Sequence, residues 1–398
     1  MRRMLAYLAL ASLMLCGCLS LEQNPFQASL CTLEVSVIWP EGFEGEAATG
    51  VTVKAEEINL GHCYSAVSGS EGKAVLQLSS GVYRLSVSER RDADVFNGTA
   101  DKVIVSRGVT AASIQLKRSK AGTIVIKEIY CGGCLKTPEE GTYQNDQYII
   151  LHNNHYEVQY LDSLCFGTLL PYNAMATNPF ISRDGEGNVT YPEFAPIAQC
   201  VWRFPGDGLS FPLQPGEDAV LVLRGAIDHS ARYPQSVNLN KEGYFVCYNN
   251  TYFTNTTYHP VPGDKIDPAR YMDVVVKTGI ANAYTFSINS PTALLFRLRG
   301  EPDVRQVPGS TVDKVTAIPY EDVIDAVEVF SGSSSANAKR LIPELDAGYV
   351  SLQNSFLCHT LMRSRDEAAS EAAGYEILSD TNNSSNDFYE RETQSLHD

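Results

Sequence analysis

Basic charge is scarce in this chain. Lys and Arg number 31 against 47 Asp and Glu, for a formal charge of −16 at pH 7. A protein that grips a phosphate backbone needs a net basic face, so general nucleic-acid binding is excluded. Long apolar runs are also missing. The run Met4 to Leu15 has twelve residues, well short of the about 20 that a spanning helix needs. No G-x-S-x-G elbow occurs, which removes the usual signature of a serine hydrolase. Gly72-Lys73 is no phosphate loop, because Val67 stands where the first glycine belongs and no Ser or Thr follows. No amphipathic pattern of twelve residues precedes Val323, which disfavours α/β folds with crossover helices.

What is present is strand. Leu33-Glu-Val-Ser-Val-Ile-Trp39 alternates apolar and polar, as do Val51-Thr-Val-Lys-Ala, Ala74-Val-Leu-Gln-Leu, Tyr83-Arg-Leu-Ser-Val, Lys102-Val-Ile-Val and Ala112-Ser-Ile-Gln-Leu. Short alternating runs broken by Gly, Ser, Asp and Asn predict antiparallel sandwiches with one wet face. With 44% hydrophobic and 20% charged residues, the composition is that of a folded protein. The expected fold is all-β, in two antiparallel sandwiches.

The amino terminus carries an address. Arg2 and Arg3 precede the apolar run, which ends in Leu15-Cys16-Gly17-Cys18. Basic start, apolar core and small residue are the parts of a secretory signal, and the last four residues resemble a bacterial lipobox. The resemblance implies that residues 1–17 are a signal peptide, that Cys18 is the lipidated first residue of the mature chain, and that 18–30 is a tether. Acyl chains at about 0.8 kcal/mol per buried methylene would hold an acidic protein on a membrane.

Eight cysteines remain: Cys31, Cys63, Cys131, Cys134, Cys165, Cys200, Cys247 and Cys358. An even number in an exported chain favours structural disulfides, with Cys31 and Cys63 the first expected pair because both fall in the first sandwich. Cys131-Gly-Gly-Cys134 follows a strand rather than opening a helix, which argues against a thioredoxin-like redox centre. It lacks the second pair that a zinc site needs.

Residues 31–118 resemble a carboxypeptidase-regulatory, transthyretin-like module through Ser68-Gly-Ser-Glu-Gly-Lys-Ala-Val-Leu-Gln-Leu and Gly81-Val-Tyr-Arg-Leu-Ser-Val. Residues 122–392 resemble a lamin-tail-like domain. Its carriers are Thr123-Ile-Val-Ile-Lys-Glu-Ile-Tyr, Asp146-Gln-Tyr-Ile-Ile-Leu-His-Asn-Asn and Phe211-Pro-Leu-Gln-Pro-Gly-Glu-Asp-Ala-Val-Leu-Val-Leu. The length exceeds a minimal domain, which predicts insertions near 168–200 and 240–273. Behind a lipobox, this pair of domains resembles an uncharacterised Bacteroidetes lipoprotein family. The resemblance implies a lipid-anchored location on the outer membrane at the cell surface, and docking domains without catalytic residues.

Candidate sites follow from local chemistry. Tyr248-Asn-Asn-Thr-Tyr-Phe-Thr-Asn-Thr-Thr-Tyr-His-Pro260 mixes aromatics with amides and hydroxyls, a combination suited to sugar or protein recognition. Tyr252, Phe253 and Tyr258 are its candidate contacts; the alternative is a strand pair whose aromatics line the core. Asp380, Asn382, Asn383 and Asp387 form an oxygen cluster that fits either calcium or Asx-capped turns. Asp184-Gly-Glu-Gly-Asn188 lacks the glycine and glutamate of a calcium loop and predicts a hairpin turn. Adjacent Asp228 and His229 cannot orient one another as a catalytic pair does. The expected function is non-enzymatic: an accessory binding lipoprotein, partner of a TonB-dependent receptor in nutrient uptake, with no cofactor and no nucleic acid. An adhesin or structural protein is the first alternative, and a carbohydrate-active or redox enzyme the second.

Overall fold

A computed structural model describes residues 30–397 except 44, 46, 92, 186–188, 333 and 335. The signal, Cys18 and nearly all of the tether lie outside the described residues. The fold is all-β, and among the described residues the two α-helices are one or two turns long, Glu367–Ala373 and Ser384–Asp387.

The first sandwich behaves as its alternation predicts. Cys31–Ile38 buries every second residue, and so does Lys73–Leu78. One sheet runs Lys73–Leu78, Cys31–Ile38, Val109–Gln115, and the other runs Cys63–Val67, Thr52–Glu57, Gly81–Arg91, Asp94–Val105, Lys117–Lys120. Leu33, Val35, Val37, Leu76, Leu85 and Phe96 meet between them. Pairing is not wholly antiparallel: Cys31–Ile38 lies parallel to Val109–Gln115.

The second sandwich is built from two six-stranded sheets. The first is ordered Phe245–Val246, Asp218–Val222, Tyr148–Asn153, Ile124–Tyr130, Thr360–Arg363, Phe388–Arg391. The second is ordered Asp273–Lys277, Cys200–Arg203, Leu164–Gly167, Thr292–Arg297, Val323–Ser331, Val350–Leu352. Ile126, Ile129, Leu151, Phe166, Trp202 and Leu295 fill the space between the sheets. Here alternation fails. Every residue of Tyr148–Asn153 is buried, because the outer faces are covered too. Residues 226–266 lay Ala226, Val237, Leu239 and Ile266 over Tyr148, Ile150, Val220 and Val222. A three-stranded sheet, Phe194–Ala198, Lys314–Pro319 and Val304–Gln306, covers the other outer face, with Ile197 and Ile318 on Cys165, Leu294 and Phe296. A sheet covered on both sides reads as continuous hydrophobic runs.

The expected Cys31–Cys63 bond is not formed. Cys63 is an exposed free thiol on an edge strand, whereas Cys31 is buried in the opposite sheet. Ser182–Arg183 and Val189–Thr190 pair antiparallel on either side of the Asp184 segment, of which residues 186–188 lie outside the described residues.

Candidate functional site

The Tyr-Asn-Thr stretch does not act as one surface. Phe253 is a correction to the expected contact set. It is 1% exposed and packs on Trp202 at 5.3 Å and on Tyr284 at 6.1 Å between ring centroids. An aromatic so enclosed serves the core. Tyr258 is half-buried beneath the Arg224 guanidinium, 5.1 Å from its ring. Tyr252 alone of the three is exposed. His259 behind them is buried and accepts from the Tyr284 amide at 3.0 Å; burial, helped by Arg224, lowers its pKa to about 4.

The start of the stretch lines an open groove of about 790 Å³. One wall is Tyr248, Asn249, Asn250 and Thr251, and the other is Pro268, Ala269 and Tyr271 through Val274. Arg203 and Pro205 close the end. Strand pairing creates this meeting, because Arg203 is in register with Asp273 and Trp202 with Val274. Tyr248 and Tyr271 meet edge to face at 5.4 Å, each partly exposed. Asn249 is fixed by accepting from the amides of Thr251 at 3.0 Å and Tyr252 at 3.2 Å. Arg203 pairs with Asp273 at 3.3 Å, so the groove's one cation and one carboxylate offset each other. Half-exposed aromatics, amides and hydroxyls without net charge suit a neutral, polar, hydroxyl-bearing ligand. Sequence reading reached Tyr248 to Thr251 but missed Arg203, Tyr271 and Asp273. The β-branched run Val274-Val-Val276 was the available signal for a strand, and nothing local tells which strand it joins.

The oxygen cluster shows the Asx-capped turn, with Asn383 Oδ1 accepting from the Ser385 amide at 3.1 Å. Asp380, Asn382, Asn383 and Asp387 are all buried, but the cation among them is the side chain of Arg363. Its Nη1 lies 3.2 Å from Asp380 Oδ1 and its Nη2 2.7 Å from Asp325 Oδ2, with Asp387 at 3.8 Å. Asp387 Oδ2 also accepts from the Thr381 amide at 2.9 Å. The remaining groups reach out to the first sandwich. Asn97 Nδ2 donates to the carbonyls of Thr381 and Asn382, both at 3.0 Å. Asn382 Nδ2 donates to Ser119 Oγ at 2.9 Å, and Asn383 Nδ2 to Ser88 Oγ at 2.8 Å. The loop is a joint between the two sandwiches.

A second acidic group, His152, Asp218 and Glu376, is likewise occupied by a side chain. Lys127 Nζ sits 2.7 Å from Asp218 and 2.5 Å from Glu376, and both His152 nitrogens are engaged, by Asp218 at 2.6 Å and the Glu376 carbonyl at 3.0 Å. His229 contacts Tyr143 Oη and the Gly225 carbonyl, each at 2.6 Å, while Asp228 caps Ser230 and Ala231. The two neighbours therefore face different partners.

Comparison with known proteins gives this chain a context. Residues 214–395 match a family model described as "Protein of unknown function (DUF4876)". The match takes in the groove residues from Tyr248 to Val274, the 380–387 loop of the joint and most of the second sandwich. A DUF4876 family protein of Bacteroides thetaiotaomicron, solved as a crystal structure, is similar over 90% of this chain and 94% of its own, at 25% identity and a TM-score of 0.55. A DUF3823 family protein of Parabacteroides merdae matches 36% of this chain and 67% of its own, at 12% identity and a TM-score of 0.18. The major pilin SpaD of Corynebacterium diphtheriae matches 46% of each chain, at 12% identity and a TM-score of 0.19. No curated protein matches the chain. The expectation of an uncharacterised family of Bacteroidetes type fits the DUF4876 likeness.

Proposed function

We propose that the protein is a non-enzymatic, lipid-anchored accessory protein of the outer membrane that binds a neutral, hydroxyl-rich nutrient such as a glycan and presents it to a TonB-dependent receptor. The observation that carries the binding part is the open, charge-balanced groove lined by Tyr248 and Tyr271. The anchoring part rests on Leu15-Cys16-Gly17-Cys18, and the receptor on the resemblance to surface lipoproteins that work with such partners. The transthyretin-like and lamin-tail-like identities of the two sandwiches belong to the same proposal. Crosslinking on intact cells followed by mass spectrometry tests it, with Cys18→Ala and Tyr248→Ala compared against the unaltered protein. The unaltered protein recovers an outer-membrane receptor. Cys18→Ala leaves the membrane fraction or stays unprocessed. Tyr248→Ala folds and lowers glycan retention on an affinity gel. Failure to recover any outer-membrane receptor under every growth condition refutes the uptake role.

A further inference from the structure

The Cys131-Gly-Gly-Cys134 motif is divided by the fold. Cys131 is buried in the core of the second sandwich, and burial pushes its thiol up to about 12. Cys134 is instead the neighbour of Cys358, 224 residues further on, close enough for each thiol to perturb the other; the Cys358 thiol itself donates to the Gln235 carbonyl at 3.3 Å. Both thiols are free in this structure.

The backbones are already fastened at this point. The Cys358 amide donates to the Gly133 carbonyl at 3.1 Å, and the Phe356 amide to the Gly132 carbonyl at 2.9 Å. Gly133 has φ of +71°, and a Cβ there would stand 2.1 Å from the Tyr143 carbonyl oxygen, so the hairpin that presents Cys134 admits little movement. Across from it, Phe356 and Cys358 both hold left-handed backbone, φ 66° and 65°. Such conformations persist in side-chain-bearing residues only where the surroundings over-determine them. Cys358 is partly accessible and Cys134 buried, the arrangement expected of an attacking and a resolving thiol.

We propose that Cys134 and Cys358 are joined by a disulfide in the exported protein, closing the hairpin onto the 353–358 loop. The proposal rests on the export reading only for its oxidant, a disulfide-bearing thiol oxidase or small-molecule disulfide. The Cys358 thiolate attacks one sulfur of that disulfide and expels the other as a thiolate. The Cys134 thiolate then attacks the Cys358 sulfur of the mixed disulfide and expels the second thiolate. One S–S bond breaks and one forms. The two protein thiols are oxidised, the oxidant's sulfurs are reduced to two thiols, and these take up the two protons. The neighbouring Cys134 thiol holds the Cys358 thiol below its ordinary pKa, which favours it as the attacking sulfur.

The test is peptide mapping of the protein purified from membranes without reductant and blocked with N-ethylmaleimide. A second sample is fully reduced, exposed to oxidised glutathione and then blocked. A peptide linking Cys134 to Cys358 is expected in both. Its absence from both, with each thiol alkylated or bonded elsewhere, overturns the pairing. Its appearance only after glutathione supports the pairing and overturns the export reading. Cys134→Ser and Cys358→Ser each expose one new reactive thiol. Reductant lowers the melting temperature of the unaltered protein and leaves that of the double variant where it was; an equal fall in both overturns the pairing as the stabilising crosslink.

Discussion

Arg363 carries its charge in a place with almost no water. Its side chain is 2% exposed, and those of Asp325, Asp380 and Asp387 no more so. Three carboxylates around one guanidinium cannot all ionise cheaply there. Burial, reinforced by Asp380 against the pull of Arg363, raises Asp387 from 3.8 to about 7; burial likewise raises Asp325 to about 6. A carboxyl with a higher pKa folded than unfolded takes up a proton on folding. Its contribution is complete below the unfolded value and is lost as pH rises through the folded one. The urea midpoint is therefore expected to fall between about pH 4 and pH 7, and Asp387→Asn to flatten that fall. An unchanged pH dependence in the variant would remove Asp387 from the account. Phe253 and Tyr252 supply a sharper residue-scale contrast. Phe253→Ala empties a core position and costs about 3–5 kcal/mol, while Tyr252→Ala, exposed, stays within about 0.5 kcal/mol. Chemical denaturation of the two variants checks both figures. Their sequence context is the same polar stretch, so composition could mark the segment but not assign inward and outward side chains.

At the scale of elements, coverage decides how a strand reads. Cys31–Ile38 wears its alternation openly because one face is wet. Ile124–Tyr130 and Tyr148–Asn153 do not, because covering segments bury their outer faces as well. The all-β class and the strands of the first sandwich were thus legible from residue order. Strand order in the second sandwich was not, since Ile124–Tyr130 pairs with both Tyr148–Asn153 and Thr360–Arg363, the latter more than 200 residues away in the chain. The groove shares that difficulty, as Arg203 and Tyr248 become neighbours only through such pairings. One close approach can be tested directly. A Cβ on Gly167 would stand 2.6 Å from Ile197 Cγ2, so the glycine lets the covering strand Phe194–Ala198 settle on Leu164–Gly167. Gly167→Ala forces Ile197 aside, and overpacking of this kind costs about 1–3 kcal/mol. Hydrogen exchange is expected to quicken in 194–198 and 314–319 and to stay as it was in the first sandwich. Uniform quickening throughout the chain would contradict a local cover.

The whole molecule is organised by its joint. Side chains from both sandwiches cross the boundary: Tyr349 Oη donates to Glu56 at 2.8 Å, and Lys117 pairs with Glu344 at 2.6 Å. Asp380 Oδ2 accepts from the Gly122 amide at 2.6 Å, inside the connection between domains. The Arg363 cluster thus shapes the loop that Asn97 reads. Asn97 is fully buried and bonds two carbonyls of that loop. A spacer that swung freely would leave such groups to water. Fixed this way, the first sandwich holds the second at a set angle, so the groove faces a constant direction relative to the first sandwich. Two coupled domains unfold together when the interface contributes enough to either one. Scanning calorimetry is expected to give one transition. Asn97→Ala strands two buried carbonyls at about 1–3 kcal/mol, which weakens the coupling without touching either core. Its melting curve is expected to broaden or split, with the first sandwich unfolding earlier. Two separate transitions in the unaltered protein, unmoved by Asn97→Ala, would mean that the domains are stable independently and that the joint sets orientation alone.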